Sequence, residues 1–233
     1  FSSLLRLRLA FTIARHDWVR GSAGALMATP HTVGIILFNE FEVLDVFGPA
    51  EAFGSAHLSH VFRVMTVAEK SGAVRSAQGL TVLADYSFSD CLELDLLLVP
   101  GGIGTRREVN NRTLLAFLSA RGATAEFVTS VCTGAALLAR TGMLDRRRAT
   151  TNKRSYDWVT TQGPAVRWVP QARWVEDGRF VTSSGVSAGI DMALALIARI
   201  ESQDAAEAVA VAMEYEWHRD SDWDPFAKIW SRV

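Results

Sequence analysis

Two apolar runs, Val33 to Phe38 (VGIILF) and Leu94 to Val99 (LDLLLV), constrain the fold of this chain more than any other feature. A strand with one wet face alternates polar and apolar residues, whereas a strand that is apolar at successive positions must be covered on both faces. The Val33 run therefore reads as a first, central strand. Val43 to Phe53 reads as a helix despite its Gly48-Pro49 step, and Val61 to Val67 (VFRVMTV) alternates like a second strand. The Leu94 run ends in Pro100-Gly101-Gly102, Leu114 to Leu118 falls in a helical segment, and Glu126 to Val131 (EFVTSV) reads as a further strand. Strand-helix-strand alternation of this kind predicts an α/β fold with a mostly parallel sheet and helices on both faces.

Two segments interrupt that alternation. Val74 to Tyr86, with Gln78-Gly79 at its centre, and Trp174 to Val181, with Asp177-Gly178, each read as a small antiparallel excursion. Ala188 to Ile200 and Ala205 to Tyr215 read as two Ala-rich helices, with Asp204 expected to cap the second.

The 233 residues exceed one domain of roughly 150 residues but fall short of two. We expect one domain over residues 31–233, preceded by an extension over residues 1–30 and ending in an aromatic tail over about residues 216–233. The extension carries Arg6, Arg8, Arg15 and Arg20 against Asp17, a local charge of +3 in a chain whose formal net charge is -1. It reads as a disordered leader or an upstream start ahead of Met27, with an organelle-targeting peptide as the alternative. Residues 21–39 are uncharged, but Gly, Ser, Thr and Pro interrupt them, so no membrane span is expected. The near-zero net charge argues against a nucleic-acid partner. Two cysteines are too few for a disulfide scaffold or a Cys-rich zinc site, and a reducing, cytoplasmic setting is expected with no metal and no cofactor.

The segment with the most chemistry is Val128 to Ala136 (VTSVCTGAA). An apolar strand runs into Cys132 and a helix opens at Thr133-Gly134, which places the thiol on a strand-to-helix elbow. There the helix N-terminus and backbone N–H groups are expected to lower its pKa and supply a thiolate. The other reading of the same residues is a buried structural cysteine. Asp45, among Leu44, Val46 and Phe47, is either a carboxyl kept protonated by its apolar setting or a first-turn residue complementing the helix dipole. The sequence alone leaves both pairs of readings open.

Taken in order, VGIILF, LDVFGP, DLLLVPGG, SVCTGA and TSSGVSAGIDMAL resemble the motifs of the DJ-1/PfpI superfamily over about residues 31–215, and most closely its isonitrile hydratase branch. The resemblance implies a flavodoxin-like three-layer sandwich, similar to class I glutamine amidotransferase domains, and a homodimer. It implies hydration of an isonitrile by water to an N-substituted formamide. Carried over position by position, Cys132 is the nucleophile, Asp45 its acidic partner and Thr133 the residue that follows it. Gly101 and Gly102, with Ile103, form the substrate loop, the glycine amides facing the pocket. Many relatives carry a histidine in the segment matching Ala149 to Lys153, where this chain has Asn152 and Lys153. A Cys-His-Asp triad is therefore not expected, and a thiol with an acid is. Two other functions compete. One is a redox-sensing or stress-protective protein with an oxidisable Cys132. The other is a ligand-binding regulatory module, for which the 18 residues after Tyr215 (233 − 215) are too few to form a helix-turn-helix domain.

Four remaining features read mainly as structural. Gly101-Gly102-Ile103-Gly104 lacks the wider spacing of a dinucleotide loop. Lys153 and Arg154 either gate the pocket or, as the commoner reading of such charges, face solvent, and Cys91 has no elbow around it. Trp217, Trp223, Phe226 and Trp230 are expected to pack the tail onto the body or onto a neighbouring subunit.

Overall fold

The computed structural model describes residues 29–231. Apart from Thr29 and Pro30, the expected extension lies outside the described residues. The strands are β1 (His31–Leu37), β2 (Phe62–Ala68), β3 (Gly72–Arg75), β4 (Thr81–Ala84), β5 (Tyr86–Ser87), β6 (Leu96–Val99), β7 (Phe127–Ser130), β8 (Arg148–Ala149), β9 (Arg167–Trp168), β10 (Trp174–Asp177) and β11 (Phe180–Ser183). The helices are α1 (Val43–Phe53), α2 (Thr105–Glu108), α3 (Arg112–Thr124), α4 (Gly134–Arg140), α5 (Tyr156–Gln162), α6 (Ala188–Ile200), α7 (Gln203–Ala212) and α8 (Pro225–Ile229).

Seven strands form one sheet in the order β10-β11-β7-β6-β1-β2-β5. β1 pairs in parallel with both β2 and β6, so the first apolar run is indeed central. Val33, Ile35, Ile36 and Leu37 are buried there, as are Leu96, Leu97, Leu98 and Val99 of β6. Helix α6 contacts both α1 and α7 on one side of this sheet, and α2, α3 and α5 gather around α4 on the other. The chain leaves β1 for β2 on one side, whereas β6 and β7 extend the sheet on the other. The carboxyl ends of β1 and β6 therefore flank a topological switch point, where open α/β sheets bind ligands.

The Val74 to Tyr86 excursion is present as the antiparallel β3–β4 pair. The Asp177-Gly178 hairpin is present as the antiparallel β10–β11 pair, but its place differs from expectation. It is not a separate excursion, because β11 also pairs in parallel with β7 and joins the main sheet. All four residues of β11, FVTS, are buried, and a strand covered on both faces belongs inside a sheet. The cap of α7 also differs: the Ser202 hydroxyl, not Asp204, accepts from the Ala205 N–H at 3.1 Å. Pro49 sits within α1, where it lacks the N–H that would bond the carbonyl of Asp45.

The tail is docked by polar groups more than by its aromatics. Arg173 N–H donates to the Ser221 carbonyl at 2.6 Å, and Asp191 accepts from Tyr215 Oη and from His218 N–H. Asp191 in turn pairs with Arg173 at 2.5 Å in a buried salt bridge. Trp223, Phe226 and Trp230 each stay roughly half-exposed, whereas Trp217 packs against the core. Lys153, expected at the surface, is buried. Its ammonium donates to Thr150 Oγ1 (2.7 Å), Thr151 O (3.2 Å) and Ala172 O (3.0 Å), and it faces Asp224 at 3.4 Å. A buried ammonium is tolerated when acceptors replace its water, and this one has a carboxylate as well. Among the described residues no helix is long and apolar enough to cross a membrane.

Candidate active site

Three connections converge at the switch point: β1 to α1, β6 to the Gly101-Gly102 loop, and β7 to α4. Cys132 lies between β7 and α4 with φ +56°. This left-handed conformation costs a non-glycine residue about 1–3 kcal/mol, and the surrounding structure must hold it. Two hydrogen bonds do so. Cys132 N–H donates to the Ser184 carbonyl at 3.0 Å, and Thr151 Oγ1 donates to the Cys132 carbonyl at 2.7 Å. The strand-to-helix elbow expected from VTSVCTGAA is therefore present, with Cys132 itself at the strained corner.

Asp45, in the first turn of α1, is wholly buried. Its Oδ2 accepts from Gly101 N–H at 2.8 Å, while Oδ1 has no hydrogen-bond partner of normal geometry among the described residues. The Cys132 side chain approaches the carboxyl closely enough to interact with it. Burial drives the Asp45 pKa well above the ordinary 3.8, outweighing the Gly101 bond. Of the two sequence readings, the protonated carboxyl is the one this environment favours.

The Cys132 thiol departs from expectation. Burial pushes it well above the ordinary thiol value of 9.0, and the neighbouring Asp45 raises it further. The N–H groups of Thr133 and Val186 act in the opposite direction but do not prevail. Magnitudes explain the outcome. A helix terminus supplies about 0.3–1 kcal/mol, up to about 2 in favourable sites. Full burial shifts a titratable group by up to about 3–5 units, roughly 4–7 kcal/mol. The expected low-pKa thiolate is thus replaced by a buried thiol beside a buried acid, the pKa of each raised above its ordinary value by burial.

Asp45, Gly101, Gly102, Cys132 and Thr133 all come together, but the loop amides play a different part from the one expected. Gly101 N–H is used by Asp45, and Gly102 N–H donates to Thr133 Oγ1 at 3.1 Å. Neither faces an open pocket; they position the acid and Thr133. Thr133 Oγ1 also bonds Thr105 Oγ1 at 3.1 Å and Gly102 O at 3.2 Å, so the hydroxyl ties the elbow to the loop. A Cβ on Gly101 would lie 2.5 Å from Thr133 N and 2.9 Å from Asp45 Oδ2, so this close approach requires glycine. Gly102 adopts φ +122°, a conformation open to glycine. Ile103 is 56% exposed at the rim.

Three residues at the site carried no sequence signal. Val186 holds φ +51°, a genuine outlier for a β-branched residue, and turns its N–H toward Cys132. Thr105 links Thr133 to α2. Arg106 is half-buried, stacks over Trp158 at 4.0 Å, donates to Ser155 Oγ at 3.0 Å and interacts electrostatically with Cys132. Asn152 accepts from Ser155 N–H at 3.0 Å and packs against Gly185, next to Val186. Cys91 is buried away from this site with its thiol donating to the Leu92 carbonyl, and burial raises its pKa. Among the described residues no group of three or more His, Cys, Asp or Glu is placed to hold a metal ion.

Fold and site together define an α/β protein with a cysteine on a strained elbow and a buried acid facing it. The DJ-1/PfpI family model matches residues 31–199, and the chain belongs to that family. An isonitrile hydratase of Pseudomonas putida is 36% identical over 184 residues, which cover 78% of each chain. The HTH-type transcriptional regulator GbdR of Pseudomonas aeruginosa is 28% identical over 190 residues, 80% of this chain, which span about half (51%) of the regulator's length. A crystal structure of a ThiJ/PfpI family protein from Pseudomonas syringae superposes with a TM-score of 0.75 at 30% identity, covering 90% of this chain and 85% of that one.

Proposed function

We propose that this protein is an isonitrile hydratase, converting an isonitrile and water to an N-substituted formamide. The observation that carries the reading is the fully buried Asp45 carboxyl, its pKa raised well above the ordinary value by burial, held by Gly101 against the Cys132 thiol. An isonitrile carbon bears a lone pair and becomes strongly electrophilic once protonated, so its chemistry calls for an acid before a nucleophile. Asp45 gives its proton to that carbon, and Cys132 Sγ bonds to it while the thiol proton passes to the Asp45 carboxylate. The product is a covalent thioimidate with Asp45 re-protonated. Water adds across the C=N bond, the C–S bond breaks, the thiol recovers a proton and the formamide leaves. No electron is gained or lost, so no redox cofactor is called for. The raised Cys132 pKa suits this order, because the thiol loses its proton only as the bond forms.

The 36% identical hydratase supports the same reading. Both cysteines are free, which fits a reducing cytoplasm, and Leu44 and Phe47, partly exposed on α1, fit a homodimer contact within a domain spanning residues 31–233. A redox sensor requires a low-pKa, accessible thiol, and the burial of Cys132 favours the hydratase over that alternative. Formamide release from simple alkyl isonitriles tests the proposal. Wild type is expected to turn over, Cys132→Ala to be inactive and Asp45→Asn to lose about 10²–10⁴-fold. Mass spectrometry after acid quench should find an adduct of the isonitrile mass on wild type and none on Cys132→Ala. Formamide formation by Cys132→Ala at the wild-type rate would rule the mechanism out.

A further inference from the structure

Arg106 is a half-buried cation with no carboxylate partner among the described residues. Its guanidinium makes two hydrogen bonds, both to hydroxyls: Nη2 to Ser155 Oγ at 3.0 Å and Nη1 to Thr105 Oγ1 at 3.4 Å. The face of the group lies over the Trp158 ring at 4.0 Å. The next residue shows the contrast, since Arg107 pairs with both Glu40 and Glu108. Half-buried guanidinium groups ordinarily find an anion, because desolvation is otherwise uncompensated.

Arg106 is also tied to the reacting centre. Thr105 Oγ1, to which it donates, bonds Thr133 Oγ1 at 3.1 Å, and Thr133 follows the nucleophile. Ser155 is held in turn by Asn152 on the loop that packs against Gly185. The guanidinium is thus stacked, hydrogen-bonded and placed where it interacts electrostatically with the nucleophile, with its remaining N–H donors uncommitted among the described residues. A planar fork of this kind matches a carboxylate in bidentate fashion.

We propose that Arg106 is the specificity-determining residue of the Cys132 site and selects substrates whose substituent carries a carboxylate. On the hydratase reading, the substrate class is a carboxylate-bearing alkyl isonitrile, with the isonitrile carbon at Asp45 and Cys132 and the carboxylate on Arg106. That clause rests on the proposed function; the anion preference itself does not.

Alkylation of Cys132 separates the two. Iodoacetate and iodoacetamide both add to the thiolate with loss of iodide and differ in charge, so the ratio of their rates cancels any change in thiolate supply. Measured on the full chain by peptide mass spectrometry, the iodoacetate-to-iodoacetamide ratio at Cys132 is expected to fall roughly tenfold or more in Arg106→Gln, the scale of one charge-assisted bond. Arg106→Lys, which keeps the charge without the fork, should fall partway. Propanoate should slow iodoacetamide labelling of wild-type Cys132 while propanamide does not, a test that needs no variant. An unchanged ratio in both variants, or equal effects of propanoate and propanamide, overturns the proposal. If these effects appear while no isonitrile is hydrated, Arg106 recognition stands and the hydratase reading fails. With turnover, the kcat/KM preference for 3-isocyanopropanoate over propyl isonitrile should collapse in Arg106→Gln.

Discussion

Asp45 and Cys132 act on each other in opposite senses: the charge of Asp45 makes the thiol harder to ionise, whereas the hydrogen bond of the thiol eases ionisation of Asp45, whose pKa burial nonetheless raises. The carboxyl is held by burial and one Gly101 N–H, the thiol by burial and two N–H groups, and the charge of Asp45 raises the thiol further. Burial favours the neutral form of both groups. On the proposed hydratase reading, such a pair delivers acid first and uses the nucleophile at the moment of bond formation.

Thiol labelling follows from that coupling. Wild-type Cys132 should react slowly with iodoacetamide at neutral pH, with its rate still rising above pH 9.0, the ordinary thiol value. Asp45→Asn removes the nearby charge and should shift the labelling profile to lower pH. A Cys132 profile unchanged by Asp45→Asn would show that burial alone sets the thiol.

The same acid links stability to pH. Asp45 is raised above 3.8 in the fold, so the native chain holds a proton that the unfolded chain releases. Its contribution is complete below 3.8 and is lost as pH rises through the folded value. Asn cannot titrate yet keeps an oxygen for Gly101 N–H. Asp45→Asn should therefore gain stability on wild type as pH climbs, which melting curves from about pH 4 to about pH 9 would record.

The parts of this molecule that are legible in sequence are those fixed by local pattern. The VGIILF run became the central β1, Ala188 to Ile200 became α6, and the strand running into Cys132 became the elbow, because periodicity and turn chemistry decide each of them. What was not legible depends on burial. The helix-dipole argument for a thiolate holds for an accessible cysteine and fails here because desolvation is larger. Lys153 reads as a surface charge until the tail brings Asp224 over it. Val186 gives no sign of its positive φ, since valine is among the residues least suited to it. Arg106 in Thr-Arg-Arg-Glu looks no different from Arg107, and only the fold stacks one on Trp158 and pairs the other with two glutamates.

The tail gives the third prediction. Asp224 caps α8, accepting from Phe226 N–H at 3.0 Å, and faces the buried Lys153. Asp224→Ala removes both interactions and should destabilise by about 3–5 kcal/mol, because the buried ammonium loses the carboxylate it faces. The double variant Lys153→Met, Asp224→Leu should recover much of that loss in chemical denaturation. Lys153 also donates to the Thr151 carbonyl, and Thr151 holds the Cys132 carbonyl, so Asp224→Ala should slow turnover as well.

Gly101 is where the loop, the acid and the elbow meet, and it gives a sharp test of the site's geometry. Its N–H holds the acid, and a side chain there would meet Thr133 N at 2.5 Å, Thr133 Oγ1 at 2.6 Å and Asp45 Oδ2 at 2.9 Å. One of these atoms belongs to the proposed acid, one to the hydroxyl that ties the elbow to the loop, and the third is backbone at the elbow, so none can move away freely. Gly101→Ala should therefore displace the carboxyl from the thiol. A misplacement of about 1 Å lowers rates by about 10²-fold even when every reacting group is present. The variant should fold, because the strain is confined to a loop beyond β6. Its kcat should fall by that order while its far-ultraviolet circular dichroism matches wild type. Its Cys132 labelling profile should move toward that of Asp45→Asn, since the thiol would no longer face the carboxyl. Wild-type kcat together with a wild-type labelling profile in Gly101→Ala would show that the acid need not stand where Gly101 holds it.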